Sequence, residues 1–170
     1  AELSGRGGID TVVHNAGITR DKTLGRMKDE QWDLCLNVNL AAVMRLNKAL
    51  IDGPFAQGGN LIFLSSISGL AGNVGQANYA TAKAGLAGLA ANMGAHGSVR
   101  CNAVAPGFIE TRMTAAVPFM IREGARRMAA LKQGGLPDDV GALVAFLASP
   151  ASAAVNGQTI RVCGGNMIGA

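Results

Sequence analysis

The stretch Asn60-Leu61-Ile62-Phe63-Leu64-Ser65-Ser66 decides the fold class of this chain. It holds four large apolar residues in a row between polar ones, which suits a short strand that is covered on both faces. Such strands build the parallel sheets of α/β domains. The stretch therefore predicts a central strand over residues 60–65, with Ser66 at its carboxyl end.

Strands and helices alternate on both sides of this central strand. The other predicted strands are 9–14, 99–104 and 158–163, and the predicted helices are 29 to about 50, 77 to about 94, and 138–149. Asp29 is expected to cap the first helix, and Pro137 precedes the last one. This alternation predicts an α/β fold, with a doubly wound parallel sheet and helices on both faces.

The composition fits one domain with a sizeable core. Of 170 residues, 49% are hydrophobic and 15% are charged, which is unlike a disordered segment. With 4% aromatic residues and a net charge of +4 without a block of Lys or Arg, the sequence does not favour nucleic acid as a partner. It also shows no uninterrupted apolar run of membrane-spanning length and no signal-peptide pattern, so we expect a soluble, cytoplasmic protein.

The cysteines and histidines do not form a recognisable metal motif. Cys35, Cys101 and Cys163 are odd in number and widely spaced, which predicts reduced thiols of a cytosolic protein. His14 and His96 are far apart in the sequence. We therefore expect neither a disulfide framework nor a metal site.

The alternation of strands and helices breaks down over residues 108–133. This segment contains Pro118 and several methionines, and a partly helical excursion of this kind is often a substrate lid. An irregular surface connection explains the pattern equally well. Basic residues lie in this segment and in an earlier stretch, namely Arg122, Arg126 and Arg127, and Arg20, Lys22 and Arg26. They are either solvated faces or a docking surface for an acidic acyl carrier.

The strongest chemical pattern is formed by Ser66, Tyr79 and Lys83. Tyr79 and Lys83 are four residues apart on a predicted helix, so their side chains share one face. A nearby ammonium favours the phenolate, so we expect Lys83 to lower the pKa of Tyr79 from about 10. Such a tyrosine can protonate a carbonyl oxygen that Ser66 holds by a hydrogen bond.

The same two helical residues are common on ordinary helices as a packed ring and a solvated ammonium. Taken alone, the pattern favours that interpretation. The catalytic interpretation gains support from Ser66 at a strand end, from the glycine-rich turn after it, and from Asn15-Ala16-Gly17 upstream.

These motifs together resemble the short-chain dehydrogenase/reductase family, a group with a Rossmann-like fold. The resemblance covers residues 15–165 and corresponds to the carboxyl-terminal two-thirds of a family member. Gly72-Asn73-Val74-Gly75-Gln76-Ala77-Asn78-Tyr79 and Pro106-Gly107-Phe108-Ile109-Glu110-Thr111 resemble the 3-oxoacyl-[acyl-carrier-protein] reductases. The segments 157–164 and 167–170 are similar to long mycobacterial-type members, which carry an extra amino-terminal domain.

The resemblance implies a role for each matching position. Tyr79 would be the general acid, Lys83 its partner and a ligand of the nicotinamide ribose, and Ser66 the donor that orients the carbonyl. Asn39 would hold a water molecule that relays protons toward the lysine. The other cofactor-binding positions would be Asn15, Ala16 and Gly17 beside the adenosine half, and Pro106, Gly107, Ile109 and Thr111 beside the nicotinamide. We expect glycine at 107 because only a residue without Cβ lets the backbone approach a flat ring.

Three features depart from the family pattern. No glycine-rich phosphate loop follows a first strand, since Ser4-Gly5-Arg6-Gly7-Gly8 precedes a strand, and we expect the natural polypeptide to be longer at its amino end. His14 stands where the family often has Asn. The stretch from Lys83 to Asn102 is a few residues short, and we place the loss at 92–97.

The resemblance implies reduction of 3-oxoacyl thioesters to 3-hydroxyacyl thioesters in fatty acid biosynthesis, with NADPH or NADH. The acyl group would be carried by acyl carrier protein or coenzyme A. A homo-oligomer, dimer or tetramer, is implied because the family pairs the helices that carry Asn39 and Tyr79. A reductase of another carbonyl and a non-catalytic fragment or oligomerisation module remain alternatives.

Overall fold

The sheet has four parallel strands in the order β1-β2-β3-β4. A computed structural model describes residues 8–53, 55–115 and 117–166, so the segments 4–7 and 167–170 discussed above lie outside the described residues. The strands are β1 (Ile9–His14), β2 (Phe55–Leu64), β3 (Arg100–Pro106) and β4 (Thr159–Val162). All four predicted strands are confirmed, although β2 begins at Phe55 rather than Asn60.

Helices fill the connections between these strands. They are α1 (Asp29–Leu36), a π-helical turn (Asn37–Ala41), α2 (Ala42–Ile51), α3 (Ile67–Ala71), α4 (Ala77–His96), α5 (Arg112–Ala115), α6 (Phe119–Met128) and α7 (Pro137–Ala148). The three predicted helices are confirmed. The predicted cap is wrong, because Lys28 is the N-cap of α1 and its N–H donates to the side chain of Gln31, three residues on.

The sheet is covered on both faces, which confirms the doubly wound architecture. Leu61 and Phe63 of β2 point to one face, where α2 and α4 pack, and both are fully buried. Ile62 and Leu64 point to the other face, where they pack with Leu147 of α7. The apolar run that predicted the central strand is continuous because its alternate residues enter two different cores.

The register of the strands brings their carboxyl ends together. Phe63 of β2 pairs with His14 of β1 and with Ala103 of β3. The segments that follow β1, β2 and β3 therefore leave the sheet at one edge, where open α/β sheets bind their ligands.

The run from Asp29 to Ile51 is long and apolar enough, by length and composition, to cross a membrane. In the structure it lies along the domain, and its buried residues recur every four positions: Cys35, Asn39, Val43 and Asn47. This spacing gives one inward stripe, as in an ordinary helix that covers a sheet.

Candidate active site

A cavity of about 550 Å³ opens at the carboxyl edge of the sheet. Seven of the predicted site residues line it: Asn15, Gly17, Tyr79, Lys83, Pro106, Ile109 and Thr111. Ala16, Asn39, Ser66 and Gly107 are not among its lining residues in the described structure, and Ser65 takes the wall position next to Ser66. Residues from both predicted segments, 15–17 and 106–111, therefore line the same cavity as the tyrosine and the lysine.

Ser66 is held by the short helix α3. It is the N-cap of this helix, and its Oγ accepts a hydrogen bond from the N–H of Ser68 at 3.1 Å. The helix lies directly on α4, because a Cβ on Gly69 would come within 2.7 Å of the Ala84 backbone nitrogen. This close packing fixes Ser66 relative to α4, where its hydroxyl lowers the pKa of Tyr79 in part.

The start of α4 is anchored by the fully buried Asn78. Its side-chain amide donates to the carbonyl oxygens of Arg20 at 3.0 Å and Gln31 at 3.1 Å, and its Oδ1 accepts from the N–H of Tyr79 at 2.7 Å. Asn78 thus ties the tyrosine to the loop after β1 and to α1. Sequence reasoning did not assign it a role, since a polar residue beside a tyrosine carries no distinctive signal.

The ammonium of Lys83 is buried beside Tyr79. Its Nζ donates to the carbonyl oxygen of Leu64 at 2.7 Å and lies 5.5 Å from the centre of the Tyr79 ring. Burial lowers the pKa of Lys83 to about 8. Lysine has three donors, so two remain for a ligand in the cavity.

The expected effect of Lys83 on the phenol is wrong for this structure. The pKa of Tyr79 is raised, chiefly because burial disfavours the phenolate, while the hydrogen bond with Ser66 lowers it in part. The ammonium lies over the ring, 5.5 Å from its centre, but its own pKa of about 8 leaves it uncharged at the higher pH at which the phenol titrates. Below about pH 8 the charged ammonium favours the phenolate, as Ser66 does.

Asn39 acts as a clamp from within the π-helical turn. Its Oδ1 accepts from the N–H of Ile18 at 3.0 Å, and its Nδ2 donates to the carbonyl oxygens of Ile18 at 2.9 Å and Cys35 at 2.8 Å. These bonds hold the chain just after Gly17 against the helix. The role of Asn39 in holding a water molecule stays a prediction.

The structure gives a further reason for glycine at 107, and the expected approach to a flat ring stays a prediction. A Cβ at this position would come within 2.8 Å of the Cα of Cys163, and the N–H of Gly107 donates to the carbonyl oxygen of Val162 at 2.9 Å. The close approach that excludes a side chain is therefore to the end of β4. This contact holds the chain that leads to Ile109 and Thr111.

His14 is buried directly below the cavity edge, at the end of β1. Its Nε2 lies 2.7 Å from Oδ1 of Asn47, and because an amide oxygen only accepts, Nε2 carries the proton. The ring also packs against Phe63, with 5.4 Å between ring centres. Burial lowers the pKa of His14, so it acts as a neutral donor between β1 and α2.

Part of the cavity wall was missed from the sequence. It comes from α7, whose Val140, Gly141 and Val144 line the cavity opposite the polar residues, together with Pro137. An apolar stripe on a helix gives no signal that separates a cavity wall from core packing.

Three of the basic residues suggested for docking, Arg122, Arg126 and Arg127, are already engaged within the chain, and Arg127 Nε lies 2.9 Å from Oε1 of Glu123. Arg126 Nε lies 2.6 Å from Oε1 of Glu110, and Arg122 Nη2 lies 3.5 Å from its Oε2. Arg126 also contacts Glu123 at 3.4 Å. Docking through these residues stays a prediction, and it would have to compete with these ion pairs.

Comparisons with known proteins agree with this site. A family model described as Enoyl-(Acyl carrier protein) reductase matches residues 3–166. The 3-oxoacyl-[acyl-carrier-protein] reductase FabG of Thermotoga maritima is 44% identical over 95% of this chain and 68% of its own length. The protein of the same name from Vibrio cholerae is 44% identical over 94% of this chain and 67% of its own length. The acetoacetyl-CoA reductase of Synechocystis is 43% identical over 96% of this chain and 71% of its own length.

The structure agrees with these matches. It has a parallel sheet covered on both faces, a cavity at the carboxyl edge of that sheet, and a Tyr-x-x-x-Lys pair that faces the cavity. The chain is an oxidoreductase of the short-chain dehydrogenase/reductase family.

Proposed function

We propose that this chain reduces 3-oxoacyl thioesters to 3-hydroxyacyl thioesters in fatty acid biosynthesis, with NADPH or NADH. The observation that carries the proposal is the placement of Tyr79 and Lys83 on one cavity wall, with Ser66 close enough to affect the pKa of the phenol. Relatives at 43–44% identity, named as reductases of 3-oxoacyl and acetoacetyl groups, favour this carbonyl over that of a sugar, steroid or small ketone.

The residues present fit a nicotinamide cofactor. Lys83 has two unused donors for ribose hydroxyls, and the apolar side chains of Val13 and Ile18 offer a surface for a flat ring. The predicted contacts of 15–17 and 106–111 lie at the ends of β1 and β3, on either side of Lys83. When bound, the reduced cofactor supplies the hydride.

The protein groups handle the proton and the developing charge on oxygen. The high pKa of Tyr79 keeps the phenol protonated at neutral pH, so that it can donate to the carbonyl oxygen. Ser66 has one hydroxyl proton, which it turns from the phenol to the same carbonyl oxygen when substrate binds. Lys83, charged below about pH 8, favours the phenolate that remains after donation.

The acyl group is proposed to arrive on an acyl carrier protein or on coenzyme A. Arg20, Lys22 and Arg26 are exposed on the loop that follows the cavity residue Thr19. Their charges suit an acidic carrier or the phosphates of a thioester's pantetheine arm. Arg122 and Arg126 are not part of this surface.

We also propose a cytoplasmic homo-oligomer, dimer or tetramer. Met44 and Leu46 of α2 are 52% and 54% exposed, on the helical run that carries Asn39. Large apolar side chains exposed in this way favour a protein partner, here a second copy.

A substrate panel tests the proposal. The purified protein is given 3-oxoacyl-ACP, acetoacetyl-CoA, a 2-enoyl-ACP and a cyclic ketone, each with NADPH and with NADH, and consumption of the reduced cofactor is followed by absorbance. We expect turnover of both 3-oxoacyl substrates and at least about tenfold lower kcat/KM for the others. Preferential reduction of the enoyl thioester, as the family description would suggest, would replace carbonyl reduction by double-bond reduction.

A further inference from the structure

The helix α6 lies within the segment 108–133 and has little hydrophobic anchoring. Within the described part of the chain, none of its residues is buried. Its large apolar side chains point outward: Phe119, Met120, Ile121 and Met128 are 66%, 77%, 62% and 56% exposed. Apolar burial, which positions most surface helices, therefore contributes little to the position of α6.

Polar contacts to one carboxylate, that of Glu110, hold α6 in position instead. Glu110 accepts from Arg126 Nε at 2.6 Å and from Arg122 Nη2 at 3.5 Å, and both arginines belong to α6. The three side chains are only 21–26% exposed, so solvent screens these pairs less than it screens a surface pair. Arg126 also stacks over the ring of Phe108, with its guanidinium 5.8 Å from the ring centre.

Glu110 lies between two residues that line the cavity, Ile109 and Thr111. Its N–H donates to the carbonyl oxygen of Gly135 at 2.8 Å, and a Cβ on Gly134 would lie 2.6 Å from its Oε1. The carboxylate thus joins α6, the segment after β3 and the turn before α7.

We propose that Glu110 is a positioning residue for substrate binding, which latches α6 to the cavity wall through Arg126 and Arg122. The predicted effect of the latch on substrate affinity rests on the proposed function. Without the latch, α6 loses its main tie, and Ile109 and Thr111 lose the contact that holds them to α6. The reacting atoms are unaffected, so the loss falls on substrate affinity.

The chain offers a matched control for this latch. Glu123 contacts the same Arg126 at 3.4 Å, and Arg127 at 2.9 Å, but all three residues lie within α6. Glu123→Gln removes the same charge from the same cluster without disconnecting the helix from the cavity wall. Gly134→Ala provides a second route, because its new methyl group displaces the Glu110 carboxylate without removing its charge.

Hydrogen–deuterium exchange of α6 amides tests the latch without any substrate. We expect exchange about tenfold faster in Glu110→Gln and Gly134→Ala than in the unaltered protein, and within about threefold of it in Glu123→Gln. Steady-state kinetics with 3-oxoacyl substrates should then show KM raised about tenfold in the first two variants, with kcat within about twofold. Rescue of KM in Glu110→Asp would add support, since a shorter carboxylate still pairs with arginine.

Each outcome separates the latch from the proposed reaction. Unchanged α6 exchange in Glu110→Gln, or equal effects of Glu110→Gln and Glu123→Gln, would overturn the latch. A fall in kcat with constant KM would also overturn it, because that pattern belongs to a group acting on the reacting atoms. If the unaltered protein reduces no 3-oxoacyl thioester, the proposed function fails. The exchange data still show whether Glu110 holds α6 to the cavity wall.

Discussion

Gly17 lies so close to Asn39 that a Cβ at position 17 would come within 2.6 Å of the Asn39 Oδ1 and 3.3 Å of Lys83 Nζ. The glycine therefore connects the loop after β1 with both the π-helical turn and the lysine. No other residue type fits there without moving a polar group that already has its partners.

Gly17→Ala is expected to destabilise the protein and to reduce its activity. The added methyl group displaces the amide that clamps Ile18, and overpacking of this kind costs about 1–3 kcal/mol in the free energy of unfolding. The measurement is urea denaturation together with turnover. Gly88→Ala is the matched control, because nothing lies within 4 Å of its Cβ on α4 and alanine is the better helix former. An equal loss in both variants would contradict the close-contact argument.

Tyr79→Phe is expected to abolish turnover while leaving the fold intact. Only a hydroxyl is removed, so the free energy of unfolding should change by no more than about 1.5 kcal/mol, whereas loss of a general acid costs about 10²–10⁴-fold in kcat. Ser68→Ala, which removes a hydroxyl from α3 without touching the phenol, serves as the control. Full activity in Tyr79→Phe would rule out this tyrosine as the proton donor.

The single tyrosine of the chain allows its own titration to be followed by tyrosinate absorbance. Because burial raises the pKa of Tyr79, the midpoint should lie above the ordinary value of about 10. Ser66→Ala should raise it further, since a hydrogen bond that favours the phenolate is lost. Lys83→Gln should change it less than Ser66→Ala does. A large rise in the lysine variant alone would restore the expectation that the ammonium controls the phenol.

The reaction rate is expected to fall as the pH rises through about 8. The pKa of Lys83 is lowered to about 8, so the ammonium is present below that pH and is lost above it, while Tyr79 stays protonated. A pH–rate profile of kcat/KM checks this directly. A profile that stays flat until pH 10 would assign the essential group to the tyrosine instead.

His14 should make the protein less stable in mild acid. Its folded pKa lies below the ordinary 6.5, so the unfolded state binds more protons between those two values. The contribution of His14 to the free energy of unfolding is therefore constant above about pH 7 and decreases as the pH falls through 6.5 toward the folded pKa. Denaturant unfolding of the unaltered protein and of His14→Asn over this range tests the assignment, since the variant should lose this slope.

The fold could be predicted because the sequence pattern reports burial. Leu61 to Leu64 alternate between two cores, and no other element than a central strand buries four such residues in succession. The exact ends of the strands could not be predicted as well. Phe55 begins β2 five residues earlier than predicted, because Gly58 and Gly59 in the middle of the strand resemble a turn in the sequence.

The site could be predicted as a set of residues but not as a set of interactions. The spacing of Tyr79 and Lys83 places them on one face, yet it does not show that the ammonium is buried and bonds to the carbonyl oxygen of Leu64. The pairing of Glu110 with Arg126 joins residues sixteen positions apart across an irregular segment, and local periodicity carries no information about such a contact.

The π-helical turn at Asn37–Ala41 means that the run from α1 to α2 holds a wider turn than a regular helix. Such a turn accommodates one residue more than a regular helix over nearly the same rotation, so the side chains after it keep their phase. Asn47 therefore still faces His14, and Val43 still reaches the core. The loss of one residue within Asn37–Ala41 other than Asn39 would restore regular geometry, whereas the loss of one residue from the regular helix between Val43 and Asn47 would turn Asn47 away from His14 by about 100°.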